Sequence, residues 1–367
     1  MKIGFDASRV SIRQKTGTEN YSYNLLKELL KIDRKNDYLL YLREDPPDFV
    51  KSFKNVSFKK IPLPRLWTQA GLASEVTFNP PDILFVPAHT MPLIHRPGLK
   101  TIVTIHDLGA EFLKEYHQFP QKLYLNRSTE YVAKFATHLI AVSQATKKDL
   151  ISKLSVPEGR ITVVYEGWDR DLFHQPSAEE VTAIRGKYRL GNDYLIFVGT
   201  IQPRKNLERL IESFAQAKIG LDLVLAGKPG WLSESIYGAP KRFGVQDRVK
   251  FLGHVPNEDL AGLYGGAKAM VFPSLYEGFG LPVLEAMACG TVVLTSQTTS
   301  LPEVGGEAVL YVDPNKVDSI TNGIEGIVIN SKLRDRLLVK GIKQSQKFSW
   351  EKAAAETLQV FEKVYES

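Results

Sequence analysis

Two glutamates, Glu277 and Glu285, stand in the segment EGFGLPVLEAMACG with Gly278, Gly280 and Pro282 between them. A carboxylate can accept hydrogen bonds from two neighbouring hydroxyls, as on a ribose or a hexose. Pro282 suits the first turn of a helix, where its missing N–H costs nothing. The glycines let the backbone turn sharply and approach a ligand closely, and backbone N–H groups at that helix start favour an anion such as a diphosphate. Spacing alone also fits an exposed acidic loop before a capped helix. A second cluster, GTIQPRKNLERLIESF, sets Arg204 and Lys205 after Gly199 and before a helix with Leu207, Leu210, Ile211 and Phe214 on one face. Arg grips two oxygens with its fork and Lys adds a point charge, which suits a diphosphate as well as it suits a solvated pair.

Two further clusters fall in the first half. In TGTENYSYNLLKELL, Gly17 precedes a leucine-rich helix. It either lets backbone amides meet a phosphate or is a plain loop and cap. His106 and Asp107 follow the strand KTIVTI, and His89 follows DILFVP less specifically. A histidine there hydrogen-bonds a sugar hydroxyl, holds a neighbouring carboxylate, or is structural. G-x-G-x-x-G, P-loop and G-x-S-x-G motifs are absent, which argues against NAD(P) binding, P-loop NTPases and hydrolases of that kind. The seven histidines and single cysteine show no zinc spacing. No Asp-x-Asp motif of the kind that holds magnesium is read in the chain, so neither metal nor cofactor is expected.

These residues need scaffolds. The chain has 367 residues, 43% hydrophobic and 24% charged, which is too long for one ordinary core and suits two α/β domains. Short Val/Ile/Leu-rich runs alternate with helical patterns. KIGFDA, YLLYLR, DILFVP, KTIVTI, HLIAV and ITVVY come first, then YLIFVG, LDLVLAG, VKFLG, AMVFP, TVVLT and AVLYV. Such runs are strands buried on both faces, and their alternation with helices means parallel, doubly wound sheets. The polar, proline-containing GWDRDLFHQPS marks a boundary, placing one domain at 1–172 and the other at 173–349. Ligands of such sheets bind beyond the carboxyl ends of strands, where the clusters fall.

The opening MKIGFDASRV reads as a strand and not as a signal or transit peptide. No apolar run approaches the ~18 residues of a membrane span. One cysteine, Cys289, fits a reducing cytoplasm. The net charge of +6 lacks the density of a nucleic-acid binder. The basic and aromatic stretch from Leu113 to Phe135 reads as an amphipathic helix facing the core, or as a peripheral contact with a membrane.

Read together, EGFGLPVLE, the glycine loop at Gly17, the HD pair, VSQATKKDL, YEGWD, VGTIQPRKN and PEVGGEAVLYVDP resemble, in order and over nearly the whole chain, the retaining family-4 glycosyltransferases. The resemblance implies the GT-B fold: two Rossmann-like domains facing across a cleft, the last helix, 350–367, packing back on the acceptor-side first domain. It implies a hexosyltransferase of cell-surface glycan synthesis, mannose favoured, using a GDP- or UDP-linked sugar and a saccharide or lipid-linked acceptor. Arg204 and Lys205 would bind the donor diphosphate, Glu277 the donor sugar and Glu285 the ribose. His106 would contact the donor sugar, and Gly17, Gly199, Phe279, Gly280 and Leu281 would line the donor with backbone. YEGWD departs from the family, since Glu166 stands where an asparagine is usual, which leaves the role of that position open. A sugar-nucleotide-binding subunit without catalysis, and a GT-B epimerase or phosphorylase, are the rival readings.

Overall fold

The computed structural model describes residues 1–12, 17–63, 65–108, 121–191 and 193–367, without the side chains of 121–126. The chain forms two compact units. Among the described residues, one comprises Met1–Leu108, Gln121–Gly167 and Ser349–Ser367; the other is Trp168–Phe348.

The first unit is built on a seven-stranded parallel sheet in the order β3-β2-β1-β4-β5-β6-β7. Its strands are β1 (Lys2–Asp6), β2 (Asp37–Leu42), β3 (Val56–Lys60), β4 (Ile83–Val86), β5 (Lys100–Ile105), β6 (His138–Ala141) and β7 (Ile161–Val163). β4 and β6 are buried at every position, as strands covered on both faces must be. Register is tight at the reversal of strand order: Ile3 pairs with Ile83 and Phe5 with Phe85. β3 is absent from the sequence reading because VSFKK sits at the sheet edge with nearly every side chain out, Phe58 included, and so offers no apolar run.

The C-terminal helix, Trp350–Glu366, completes this unit. Ser349 caps it by accepting the Lys352 N–H. Its buried stripe of Trp350, Ala353, Ala354, Thr357, Val360, Phe361 and Val364 has the helical period. The helix packs against the helix Gly17–Ile32, and Phe361 lies 5.0 Å from the Phe85 ring.

The second unit carries a six-stranded parallel sheet, β10-β9-β8-β11-β12-β13. Its strands are β8 (Tyr194–Val198), β9 (Asp222–Ala226), β10 (Val249–Gly253), β11 (Ala269–Phe272), β12 (Val293–Ser296) and β13 (Leu310–Val312). Strand order reverses between β8 and β11, where Ala269 pairs with Leu195. Segments that follow β8 and β11 therefore emerge side by side although about seventy residues separate them, and this is where doubly wound sheets bind ligands.

Candidate active site

The loop after β8 is shaped by close backbone approach. Gly199 has φ +150°, and a Cβ built on Gly227, after β9, would fall 1.8 Å from the Gly199 carbonyl oxygen. The chain then makes one tight turn over Pro203–Lys205 and enters the left-handed region at Asn206, φ 62°. Asn206 pins that turn: its Nδ2 donates to the carbonyls of Pro273 at 3.0 Å and Pro314 at 2.7 Å. The Leu275 N–H donates to the Arg204 carbonyl at 3.0 Å. The helix Leu207–Gln216 follows, with Leu207, Leu210, Ile211 and Phe214 buried.

So placed, both cations meet one carboxylate. Lys205 Nζ donates to Glu277 Oε1 at 2.6 Å and Arg204 Nη1 to Glu277 Oε2 at 3.0 Å. Arg204 Nη1 also donates to the Tyr276 carbonyl at 2.6 Å, and Lys205 Nζ lies 4.9 Å from the Phe272 ring centre. Lys205 and Glu277 are buried. Burial pushes the Glu277 pKa up, but Arg204 and Lys205 outweigh it and hold the group below the ordinary carboxylate value. Thr299 Oγ1 accepts the Glu277 N–H at 3.2 Å, and Ser300 Oγ donates to the carbonyls of Glu277 at 2.9 Å and Phe279 at 2.7 Å. A buried carboxylate that neutralises two cations is the arrangement a bound diphosphate would contest.

Gly280, φ +115°, turns the chain into the helix Leu281–Ala288, and a Cβ there would press to 2.9 Å from Leu301 Cδ2. Pro282 stands in the first turn. One turn on, Glu285 is partly exposed and takes the Tyr264 hydroxyl at 3.3 Å. Burial and the Glu285 charge raise the Tyr264 pKa, so that hydroxyl remains a donor.

In the first unit His106 lies just past β5. Its Nδ1 is 3.2 Å from Glu166 Oε1 and its Nε2 is 2.9 Å from the Pro87 carbonyl. Tyr21 meets the ring edge-on at 4.7 Å, and the His89 ring is 5.4 Å away. Gly17 opens the helix Gly17–Ile32, and among the described residues nothing lies within 4 Å of the position of a Cβ; it is Tyr21, one turn further, that reaches His106.

The structure thus joins Arg204, Lys205 and Glu277 directly, with Gly199 at the root of the same loop and Phe279, Gly280 and Leu281 continuing from Glu277. Glu285 bonds to a separate partner, and His106 and Gly17 belong to the other unit. Sequence reasoning missed Asn206, Ser300 and Tyr264, which work by holding the loops. It also left Glu166 without a role, although a carboxylate just beyond the strand ITVVY was a visible signal. The expectation that the chain holds no Asp-x-Asp is wrong, since Asp169-Arg170-Asp171 is one. Asp169 Oδ1 accepts the Asp171 N–H at 3.0 Å in a local turn. Among the described residues no group of three potential metal ligands gathers. Of the stretch from Leu113 to Phe135, residues 113–120 lie outside the described residues; Gln121–Phe135 is a helix with Val132 and Ala133 in the core.

Known proteins show which family the chain resembles. Residues 180–344 match the family described as Glycosyl transferases group 1, and residues 15–172 match Glycosyltransferase Family 4. The chain is 33% identical over 267 residues to the O-antigen chain mannosyltransferase B of Escherichia coli, covering 71% of this chain and 70% of that protein. Among solved structures it is similar to sucrose-phosphate synthase from Thermosynechococcus elongatus, with a TM-score of 0.79, 21% identity and 99% of each chain covered. It is also similar to HepE of Anabaena, solved in complex with UDP and glucose, with a TM-score of 0.76, 18% identity, and 99% of this chain and 100% of that one covered.

Proposed function

The chain belongs to the Glycosyl transferases group 1 family and is a glycosyltransferase of GT-B fold, and from that premise we propose that it moves mannose from a nucleoside-diphosphate donor to a saccharide or lipid-linked saccharide with retention of anomeric configuration. The observation that carries the reading is the grip of Arg204 and Lys205 on Glu277. Cleavage of the bond from the anomeric carbon to phosphate puts negative charge on the departing diphosphate. Preorganised donors aimed at such charge are worth roughly 3–4 kcal/mol each. Arg204 and Lys205 supply them without metal. Glu277, released from the cations by the diphosphate, is free to accept hydroxyls of the sugar, while Glu285 accepts those of the ribose. The acceptor oxygen bonds to the anomeric carbon as the carbon–oxygen bond to phosphate breaks. The electron pair leaves with the diphosphate, and one of its oxygens takes the acceptor proton.

In this reading 173–349 is the donor domain and 1–172, with 350–367, the acceptor side. Mannose follows from the name of the Escherichia coli relative; the UDP and glucose held by HepE make a UDP-hexose the second candidate. The enzyme would work in the cytoplasm, against a membrane that supplies its acceptor. No helix among the described residues is long and apolar enough to cross one. Half-exposed Leu93 and Phe135 share a surface through Tyr131, whose hydroxyl donates to the Leu93 carbonyl and whose ring meets Phe135. Basic Arg96 and Lys134 stand nearby in sequence, a composition suited to an anionic bilayer.

The test is a thermal-shift panel of nucleotide sugars followed by transfer assays with and without chelator. A donor at 100 times its dissociation constant stabilises by about 2.7 kcal/mol. GDP-mannose is expected to give the largest shift, and chelator to leave transfer unchanged. Inverted product by NMR would defeat retention. A chain that binds donor but neither transfers nor hydrolyses it would be a sugar-nucleotide-binding subunit. Flotation with anionic vesicles at low salt tests the membrane contact, and absence from the floated fraction would sink it.

A further inference from the structure

His106 is held in place by identifiable groups. Glu166 faces it from the segment after β7, His89 and the Pro87 carbonyl from the segment after β4, Tyr21 from the helix Gly17–Ile32, and Asp107 is its neighbour in sequence. The side chains of His106 and Glu166 are 12% and 5% exposed, which leaves a small part of the ring accessible. A carbonyl oxygen can only accept, so Nε2 bonded to Pro87 carries a proton. Nδ1 faces a carboxylate oxygen, which favours a proton there too.

The placement of Glu166 is dictated by its neighbour. A Cβ on Gly167 would fall 2.2 Å from the Trp350 backbone nitrogen and 2.4 Å from the Ser349 carbonyl carbon. Only glycine lets the chain run this close to the start of the C-terminal helix, and that contact fixes the turn from which Glu166 reaches His106. Trp350 in turn packs edge-on against Tyr21 at 5.7 Å. The ring is therefore held by one backbone carbonyl, one carboxylate and the edge of Tyr21.

We propose that Glu166 is a positioning residue that fixes His106 as an imidazolium with both N–H groups donating, so that the ring gives sugar transfer a stationary positive charge and not a base. This rests on the glycosyltransferase reading above. Such a ring has no lone pair with which to take a proton from an acceptor hydroxyl. With both N–H groups engaged, its charge instead favours an oxygen-rich partner, a sugar hydroxyl or a phosphate oxygen, and the acceptor proton leaves on the departing diphosphate. Burial alone would push His106 towards its neutral form; the hydrogen bond and charge of Glu166, the Pro87 carbonyl and Asp107 outweigh it and raise the pKa. His89 beside it is the opposite case: burial and the neighbouring His106 lower it to about 4, and it stays neutral.

The experiment is an NMR titration of the full chain carrying 15N-labelled histidine, in wild type, Glu166→Gln and Glu166→Asp, with kcat and donor KM measured across the same pH range. In wild type both ring nitrogens of His106 are expected to be protonated at neutral pH. Glu166→Gln keeps an acceptor but removes the charge, and should lower the proton affinity of His106 about tenfold or more. Its kcat should fall about tenfold above pH 7 and stay within about threefold in mild acid, where the ring is protonated in both chains, with donor KM little changed. Glu166→Asp, with the charge but a shorter reach, should recover part of the loss. A neutral His106 in the wild-type chain at neutral pH overturns the proposal, as does a Glu166→Gln pH profile superimposable on wild type. Should Glu166→Gln fail to fold, the wild-type titration and Glu166→Asp decide. Failure to transfer from any nucleotide sugar would sink the functional reading and leave the titration to judge the charge on its own.

Discussion

Each unit presents a buried glutamate with cationic partners at the carboxyl end of a parallel sheet, yet the two sites differ in what can be exchanged. In the second unit Glu277 is paired with two strongly basic side chains, Arg204 and Lys205. An anionic ligand can take them over without a proton moving. In the first unit the partner of Glu166 is His106, whose charge is conditional and whose second nitrogen is already engaged by Pro87. The first arrangement trades one anion for another; the second holds a charge in place only while a proton is bound. Paired carboxylate and cation therefore does not denote one role, and the chemistry of the cation decides which role applies.

The contrast is most exposed to refutation at Glu277. Removing one partner of a buried ion pair costs about 3–5 kcal/mol, so Glu277→Gln is expected to lower the melting temperature sharply. If the cations await an anion, a nucleoside diphosphate should restore more stability to this variant than to wild type; equal shifts in the two chains would count against exchange. Lys205→Ala and Arg204→Ala are each expected to raise the barrier to transfer by about 3–4 kcal/mol, with a smaller effect on folding. Parallel losses of turnover and thermal stability would reduce the pair to structural ballast.

Acid and alkali should separate the two sites further. Glu277 is lowered from an ordinary value of 4.5, so its contribution to stability is present above that value and disappears as pH falls through the folded value. His106 is raised from 6.5, so its contribution is complete below that value and is lost as pH rises through the folded value. Melting temperatures against pH should show Glu277→Gln flattening the acid side and Glu166→Gln the alkaline side, each by about 1.4 kcal/mol for every tenfold difference in proton affinity between the folded and unfolded chain. A change on the same side in both would erase the distinction. The smallest effect is expected at Glu285, where replacement by Ala should weaken nucleoside-diphosphate binding by about 1–1.5 kcal/mol, roughly tenfold, in calorimetry. Unchanged affinity would remove Glu285 from the donor site.

Most of the scaffold is legible in the sequence because double burial writes itself as unbroken apolar runs: AMVF and YLIFV could hardly be anything but central strands. The edge strand Val56–Lys60 escapes for the converse reason, since its side chains are turned outward. The basic pair and Glu277 could be picked out one by one. Their union could not, because it depends on β8 and β11 lying side by side and on Asn206 tying the turn to Pro273 and Pro314. Glu166 was visible but looked like a departure from pattern; only the clearance between Gly167 and Trp350 shows why the chain presents it to His106. Asp169-Arg170-Asp171 was overlooked in the sequence, and its local hydrogen bond gives it a turn-forming part.

The segment Ser349–Ser367 belongs to the first unit although it follows the whole of Trp168–Phe348. The order in which a ribosome makes the chain therefore differs from the order in which the units become complete. While the middle of the protein is being synthesised, the side of the first sheet at Phe85 waits for Phe361, and Gly167 for the backbone it will touch. The nascent first half is an unfinished core exposed to chaperones and proteases until the final helix emerges. A premature stop anywhere before that helix would thus disable the end of the protein that was made first.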